Sequence, residues 1–106
     1  MIMVETQWPE IGGKTLQYGD HTWELTGTVD VRNTGELLMV EAKQISDVSQ
    51  PRRNLRFGCE KGSPSLNPGN LGEHFDRLER DRHSHYLVVK KEPRTYRYEI
   101  LGIDRA

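Results

Sequence analysis

The chain has one cysteine, Cys59, in 106 residues and so no internal disulfide; this fits a reducing compartment and excludes the covalent staples on which small secreted domains rely. No apolar run approaches the ~20 residues of a membrane span. The opening MIMVETQWPE also lacks the basic flank and long apolar core of a signal peptide. Both point to a cytoplasmic protein without membrane contact. An excess of either charge is missing as well: 15 Lys and Arg against 16 Asp and Glu give a net charge of −1. That excludes a uniformly basic nucleic-acid binder while leaving room for a local basic face. Hydrophobic residues are scarce at 34%, so the core must be small, a few aromatics and branched aliphatics under a large polar surface. Familiar catalytic signatures are absent too. There is no phosphate-binding glycine loop, no Ser-His-Asp arrangement and no dinucleotide fingerprint, since Gly12-Gly13 and Gly19 lack the strand-to-helix context these need.

What is present is alternation. A chain of this length makes one domain, residues 1–106. Its first segment begins apolar and ends in the breakers Pro9-Glu10-Ile11-Gly12-Gly13; Lys14 to Tyr18 then alternates weakly before the tight turn Gly19-Asp20. From His21 to Arg32 the pattern is clean, with Trp23, Leu25, Gly27, Val29 and Val31 on one face and Glu24, Thr26, Thr28, Asp30 and Arg32 on the other. Asn33-Thr34-Gly35 reads as a three-residue loop, and Glu36 to Lys43, nearly continuously apolar at Leu37 to Val40, as the returning strand of a hairpin.

Residues 44–69 read as an irregular loop broken by Pro51, Gly58, Gly62, Pro64 and Pro68, with a helical turn at Ile45 to Val48 and Leu55 and Phe57 able to form a short strand inside it. Asn70-Leu71-Gly72-Glu73 has the form of a helix capping box, and Leu71, Phe75 and Leu78 recur at spacings of four and three. That spacing predicts a helix over residues 70–82. Tyr86 to Lys91 and Thr95 to Ile103 form a second hairpin around Glu92-Pro93-Arg94. The expected fold is α+β, a mostly antiparallel sheet of about five strands in two hairpins with the one helix packed on a face.

The first hairpin carries Asp30 on one arm and Glu41-Ala42-Lys43 on the other. A carboxylate followed on the neighbouring strand by Glu-x-Lys resembles the motif of the PD-(D/E)XK nucleases. The resemblance implies Asp30 and Glu41 as ligands of Mg²⁺ or Mn²⁺ and Lys43 as the catalytic lysine, and the helix before Tyr86 would match the order of that family's core. Paired carboxylates hold a hard divalent cation, which stabilises charge on a phosphodiester, and a lysine on the same strand face can orient the attacking water. Everything turns on register. A three-residue loop sets Arg32 opposite Glu36 and sends Asp30 and Glu41 to opposite faces; a two-residue turn or a bulge returns them to one face, with Val29, Val31, Leu38, Val40 and Ala42 on the other.

Two further groups invite chemistry. His83 and His85, with His74 or Cys59, could assemble a zinc site, although no paired ligand spacing supports one. Arg52, Arg53, Arg56, Lys90, Lys91, Arg94 and Arg97 interleave with Phe57, Tyr96 and Tyr98, a mixture suited to nucleic acid or to a protein partner. The leading expectation is a small non-enzymatic binding protein that meets another protein or a nucleic acid through this basic loop-and-hairpin surface and needs no cofactor. Sheet edges offer a route to a homo-oligomer. A metal-dependent nuclease is the alternative, so the sequence leaves open whether the chain is an enzyme.

Overall fold

The alternating stretch becomes a single strand of 12 residues, β3 (His21–Arg32), in the computed structural model of the chain, which describes residues 5–47, 51–59, 64–66 and 72–105. Trp23, Leu25 and Val29 are buried along one side of it, as the pattern demands. β3 is long enough to take two partners on the same edge: β1 (Glu5–Gln7) pairs with its C-terminal half and β2 (Thr15–Tyr18) with its N-terminal half. Between those partners the chain leaves the sheet in a 3-10 turn, Pro9–Ile11, which drives Trp8 and Ile11 into the core. The Trp8 N–H donates to the Gly27 carbonyl at 2.5 Å and the Gly13 N–H to the Leu25 carbonyl at 2.8 Å, so the excursion stays tied to β3. Gly27 has φ of 97°, a left-handed conformation that glycine adopts without penalty.

On its other edge β3 pairs with β4 (Leu37–Gln44). The sheet continues through β5 (Arg53–Gly58), β8 (Arg94–Arg105) and β7 (His85–Lys91) to β6 (Phe75–Arg80), with every pair antiparallel. The eight strands curl into a half-barrel. Its concave side holds the core, including Trp8, Trp23, Leu38, Val40, Leu55, Phe57, Leu87, Val89 and Tyr98.

The expected α+β class is therefore corrected to a mostly β fold, since no helix of seven or more residues occurs among the described residues. Where a helix was expected, a single 3-10 turn at Gly72 to His74 runs straight into β6. The proposed cap Asn70 and the first apolar position Leu71 lie outside the described residues. The misleading spacing has a local cause. The β6–β7 register shifts between Phe75↔Val89 and Arg77↔Val88, which inserts one extra residue, Asp76, into β6. Such a bulge turns the period of two into a step of three, so Phe75 and Leu78 both pack against the core as if on a helix. Among the described residues the count of about five strands rises to eight because β1, the 55–57 strand and β6 all join the same sheet. The presumed irregular stretch thus contains a central strand, β5, with Leu55 and Phe57 fully buried. The helical turn expected at Ile45 to Val48 is not formed over Ile45 to Asp47, and Val48 lies outside the described residues.

The β3–β4 connection is longer than a three-residue loop. Arg32 pairs with Leu37, leaving four residues, Asn33 to Glu36, in the turn. Asn33 and Thr34 both have φ of 52° and Gly35 has φ of 106°. Gly35 is buried beneath the segment Pro64 to Leu66: the Leu66 N–H donates to the Thr34 carbonyl at 3.3 Å, and the Tyr98 hydroxyl donates to the Gly35 carbonyl from inside the core. Burial holds the Tyr98 hydroxyl well above the ordinary phenol range. A Cβ on Gly35 would run into the Pro64 carbonyl oxygen and lie 3.0 Å from the Leu66 nitrogen. Gly35→Ala is accordingly expected to destabilise the fold by about 2–4 kcal/mol, combining a left-handed non-glycine residue with overpacking. A urea-denaturation midpoint equal to that of the wild type would contradict this account of the turn.

Candidate binding cleft

Because the β3–β4 loop has four residues, Asp30 pairs with Met39 and Val29 with Val40. Asp30, Glu41 and Lys43 therefore share the face opposite the core, while Val29, Val31, Leu38, Val40 and Ala42 share the other. The two carboxylates of that row are already engaged. Asp30 is 6% exposed and accepts from Arg32 Nε at 3.0 Å, with its Oδ1 buried and without a hydrogen-bond partner among the described residues. Glu41 Oε1 accepts from the Thr26 hydroxyl at 3.0 Å and lies 3.5 Å from Arg52. Lys43 is exposed and stands opposite Glu24. Among the described residues no group of three or more His, Cys, Asp or Glu is arranged to hold a metal ion. His74, His83, His85 and Cys59 are likewise not brought together, and the helix that completed the nuclease resemblance is a strand.

The cations marked for a polyanion are mostly spent on neighbouring acceptors. Arg56 faces Asp104 at 3.5 Å, Lys90 faces Glu92 at 3.7 Å, and Lys91 Nζ donates to the Ser65 carbonyl at 2.5 Å. Arg97 donates to Glu79 at 2.7 Å and lies 3.9 Å above the Tyr86 ring. Arg53 and Arg94 alone of the seven make no ion pair or hydrogen bond through their side chains among the described residues.

A different feature is built by the tertiary fold. Among the described residues β2 pairs only with β3 and β6 only with β7, so these strands end the sheet, and the curl brings them to face each other without forming a ladder. Side chains bridge the seam. Trp8 meets Phe75 edge-to-face at 5.2 Å between ring centroids, and His85 stands across the cavity wall from the backbone of Gln17. Between the strands lies a cavity of about 320 Å³ lined by Thr15, Leu16, Gln17 and Thr22 on one wall and Leu78, Glu79, Arg80, His85 and Tyr86 on the other. Two more concavities, each of about 490 Å³, sit over the Gly19–Asp20 turn and over the outer side of β8. The seam is the stronger candidate because it alone lies between two strands with unpaired backbone.

Its charges are unevenly committed. Glu79 is held by Arg97 and by Arg77, the latter at 2.9 Å. The N–H groups of His83 and Ser84 donate to Asp81 Oδ1 at 2.8 and 2.9 Å and keep that carboxyl below the usual carboxylate range. The Tyr86 hydroxyl is raised by desolvation and by its hydrogen bond to Asp81. Arg80 makes no ion pair among the described residues and stands opposite His85 in the β6–β7 ladder. Burial, with Arg80 nearby, lowers the His85 imidazole from its ordinary value. Sequence reasoning singled out His85 only as a zinc candidate and missed Thr15, Gln17, Arg80 and Tyr86 altogether. No local pattern marks them, since the cleft exists only because the two ends of the sheet meet.

The chain matches no known family model, no curated protein and no solved structure, so the case for this site rests on its own geometry.

Two outcomes follow. His85 is depressed in the folded state, so between that value and the unfolded value near 6.5 the unfolded chain binds more protons. Its contribution to stability is complete above pH ~6.5 and is lost as the pH falls below it. Urea midpoints should drop across that window in the wild type, and less so in His85→Gln, which does not titrate; identical pH profiles would contradict the burial that lowers His85. Asp81 acts in a separate window, below the ordinary carboxylate range. For the convex face, Glu41→Ala should cost no more than about 1 kcal/mol, the scale of an exposed ion pair with a hydroxyl contact, and leave nucleic-acid substrates as it finds them. Cleavage with Mg²⁺ or Mn²⁺ that depends on Glu41 would instead restore the nuclease alternative.

Proposed function

We propose that the chain is a non-enzymatic binding protein that takes an extended segment of another protein at the seam between β2 and β6. One observation carries this reading: the two terminal strands of a curled antiparallel sheet face each other across a cleft with their outer backbone edges unpaired. Gln17 lies on β2, which pairs with β3 alone among the described residues, so its other edge offers backbone groups to an incoming strand. Unpaired strand edges are templates for strand addition, in which backbone bonds supply affinity and side-chain pockets supply selectivity. Leu16 and Leu78 give the cleft an apolar lining for one side chain of the incoming segment, with the Thr15 and Thr22 hydroxyls beside it.

The edges are also guarded. β2 has only four residues, and β6 carries a bulge and four charges, Asp76, Arg77, Glu79 and Arg80, in six positions. These devices discourage indiscriminate pairing and leave room for a partner whose side chains answer them. The commitment of Arg52, Arg56, Lys90, Lys91 and Arg97 to neighbouring acceptors favours this reading over a polyanion on the basic hairpin.

The test is a random heptapeptide display selection on the intact protein, followed by amide chemical-shift mapping with an enriched peptide. Shifts are expected along β2 and β6, and sedimentation at the same concentrations should show no self-pairing through those edges. Single-stranded DNA and RNA should bind weakly with a log–log salt slope below about 2, because two uncommitted arginines on the basic loop and hairpin allow few phosphate contacts. Tight binding with a steep slope would move the function to the basic hairpin.

A further inference from the structure

The seam has a direction of charge that the strand-docking reading does not by itself require. Glu79 is neutralised by two arginines and Asp81 is locked in its own turn, while Asp76 is paired with Arg77. Arg80 is left as the uncommitted ionic group on this wall, beside an imidazole. A cation whose nearby acids are occupied leaves local positive potential that attracts an anion. Its planar fork of donors matches a carboxylate in two-point geometry.

We propose that Arg80, with His85 beside it, anchors an acidic side chain of the extended partner segment, so that the seam selects Asp or Glu at one position of the incoming strand. This rests on the strand-docking reading and names the chemistry of its partner. The anchor sits at the end of the β6–β7 ladder, where Arg80 and His85 are directly opposite each other and project from the same face. A neutral imidazole has one donor and one acceptor nitrogen, and a protonated one has two donors. A carboxylate seated there favours the protonated ring, so binding takes up a proton and tightens as the pH falls through the imidazole range. The other titratable groups at the site are Glu79 on β6, Asp81 in the following turn and Tyr86 on β7, all engaged already; the β2 wall presents no titratable side chain.

The same peptide selection, run in parallel on wild type and Arg80→Gln, tests the anchor. Wild type should enrich alternating peptides with Asp or Glu at a fixed position. By fluorescence anisotropy such a peptide should bind at least tenfold more weakly when that acid is replaced by its amide, and at least tenfold more weakly to Arg80→Gln. Arg80→Lys should recover only part of the loss, since lysine keeps the charge and lacks the two-point fork, and wild-type affinity should be at least threefold higher at pH 6 than at pH 8. Unchanged amide spectra outside the seam establish that the variants fold. Enriched peptides without an acidic position, or affinities equal for acid and amide, overturn the anchor and leave strand docking standing. An acidic preference that survives Arg80→Gln and vanishes in Arg94→Gln places the anchor on the hairpin and overturns the proposal. No enrichment, or shifts away from β2 and β6, overturns both readings.

Discussion

The β3–β4 register is the constraint on which the rest of the structure depends. Side chains on a strand alternate, so one residue more or less in the connecting turn would exchange the faces of an entire strand. With four residues in the turn, Leu38, Val40 and Ala42 join Leu25 and Val29 over the core. Where β3 later takes two extra residues, between Leu25 and Val29, the number is again even and the faces are kept. Gly35 makes the turn possible, and Tyr98, reaching from the far side of the core to the Gly35 carbonyl, ties β8 to it.

From that centre the sheet grows outward until its ends meet. A closed barrel would satisfy both terminal edges with backbone hydrogen bonds, whereas this one is joined by side chains, an aromatic pair at Trp8 and Phe75 and the imidazole of His85 across from Gln17. A side-chain seam leaves polar backbone groups available and space between the walls. The Pro9–Ile11 excursion matters here, because it interrupts what would otherwise be one long edge strand and sinks Trp8 far enough to reach Phe75.

Charge on the outer surface is organised locally rather than as a patch. Val88 is fully buried on the side of β7 away from the core, and its cross-strand neighbours are Arg77 and Arg97, whose aliphatic stems can cover it while their heads pair with acids. Met39 is similarly buried between Asp30 and Arg56. Arginine thus stands beside apolar residues of the convex face while its head pairs with acids.

Alternation along His21 to Arg32 and along Tyr96 to Ile100 determined, from sequence alone, which residues of β3 and β8 enter the core, because strand periodicity is a property of the backbone. It also confined the question of Asp30 and Glu41 to the parity of one turn. The turn length itself was not legible: three positive φ values in Asn33, Thr34 and Gly35 are stabilised by Pro64 to Leu66 and by Tyr98, none of which is near in sequence. Nor was β6, whose bulge at Asp76 reproduces a helical spacing and becomes a strand only through its ladder with β7. The seam was the least legible of all. Thr15, Gln17, Arg80 and His85 become neighbours only when the sheet curls, so their meeting was decided by tertiary structure, while the sequence determined the polarity pattern that makes the sheet curl around its core.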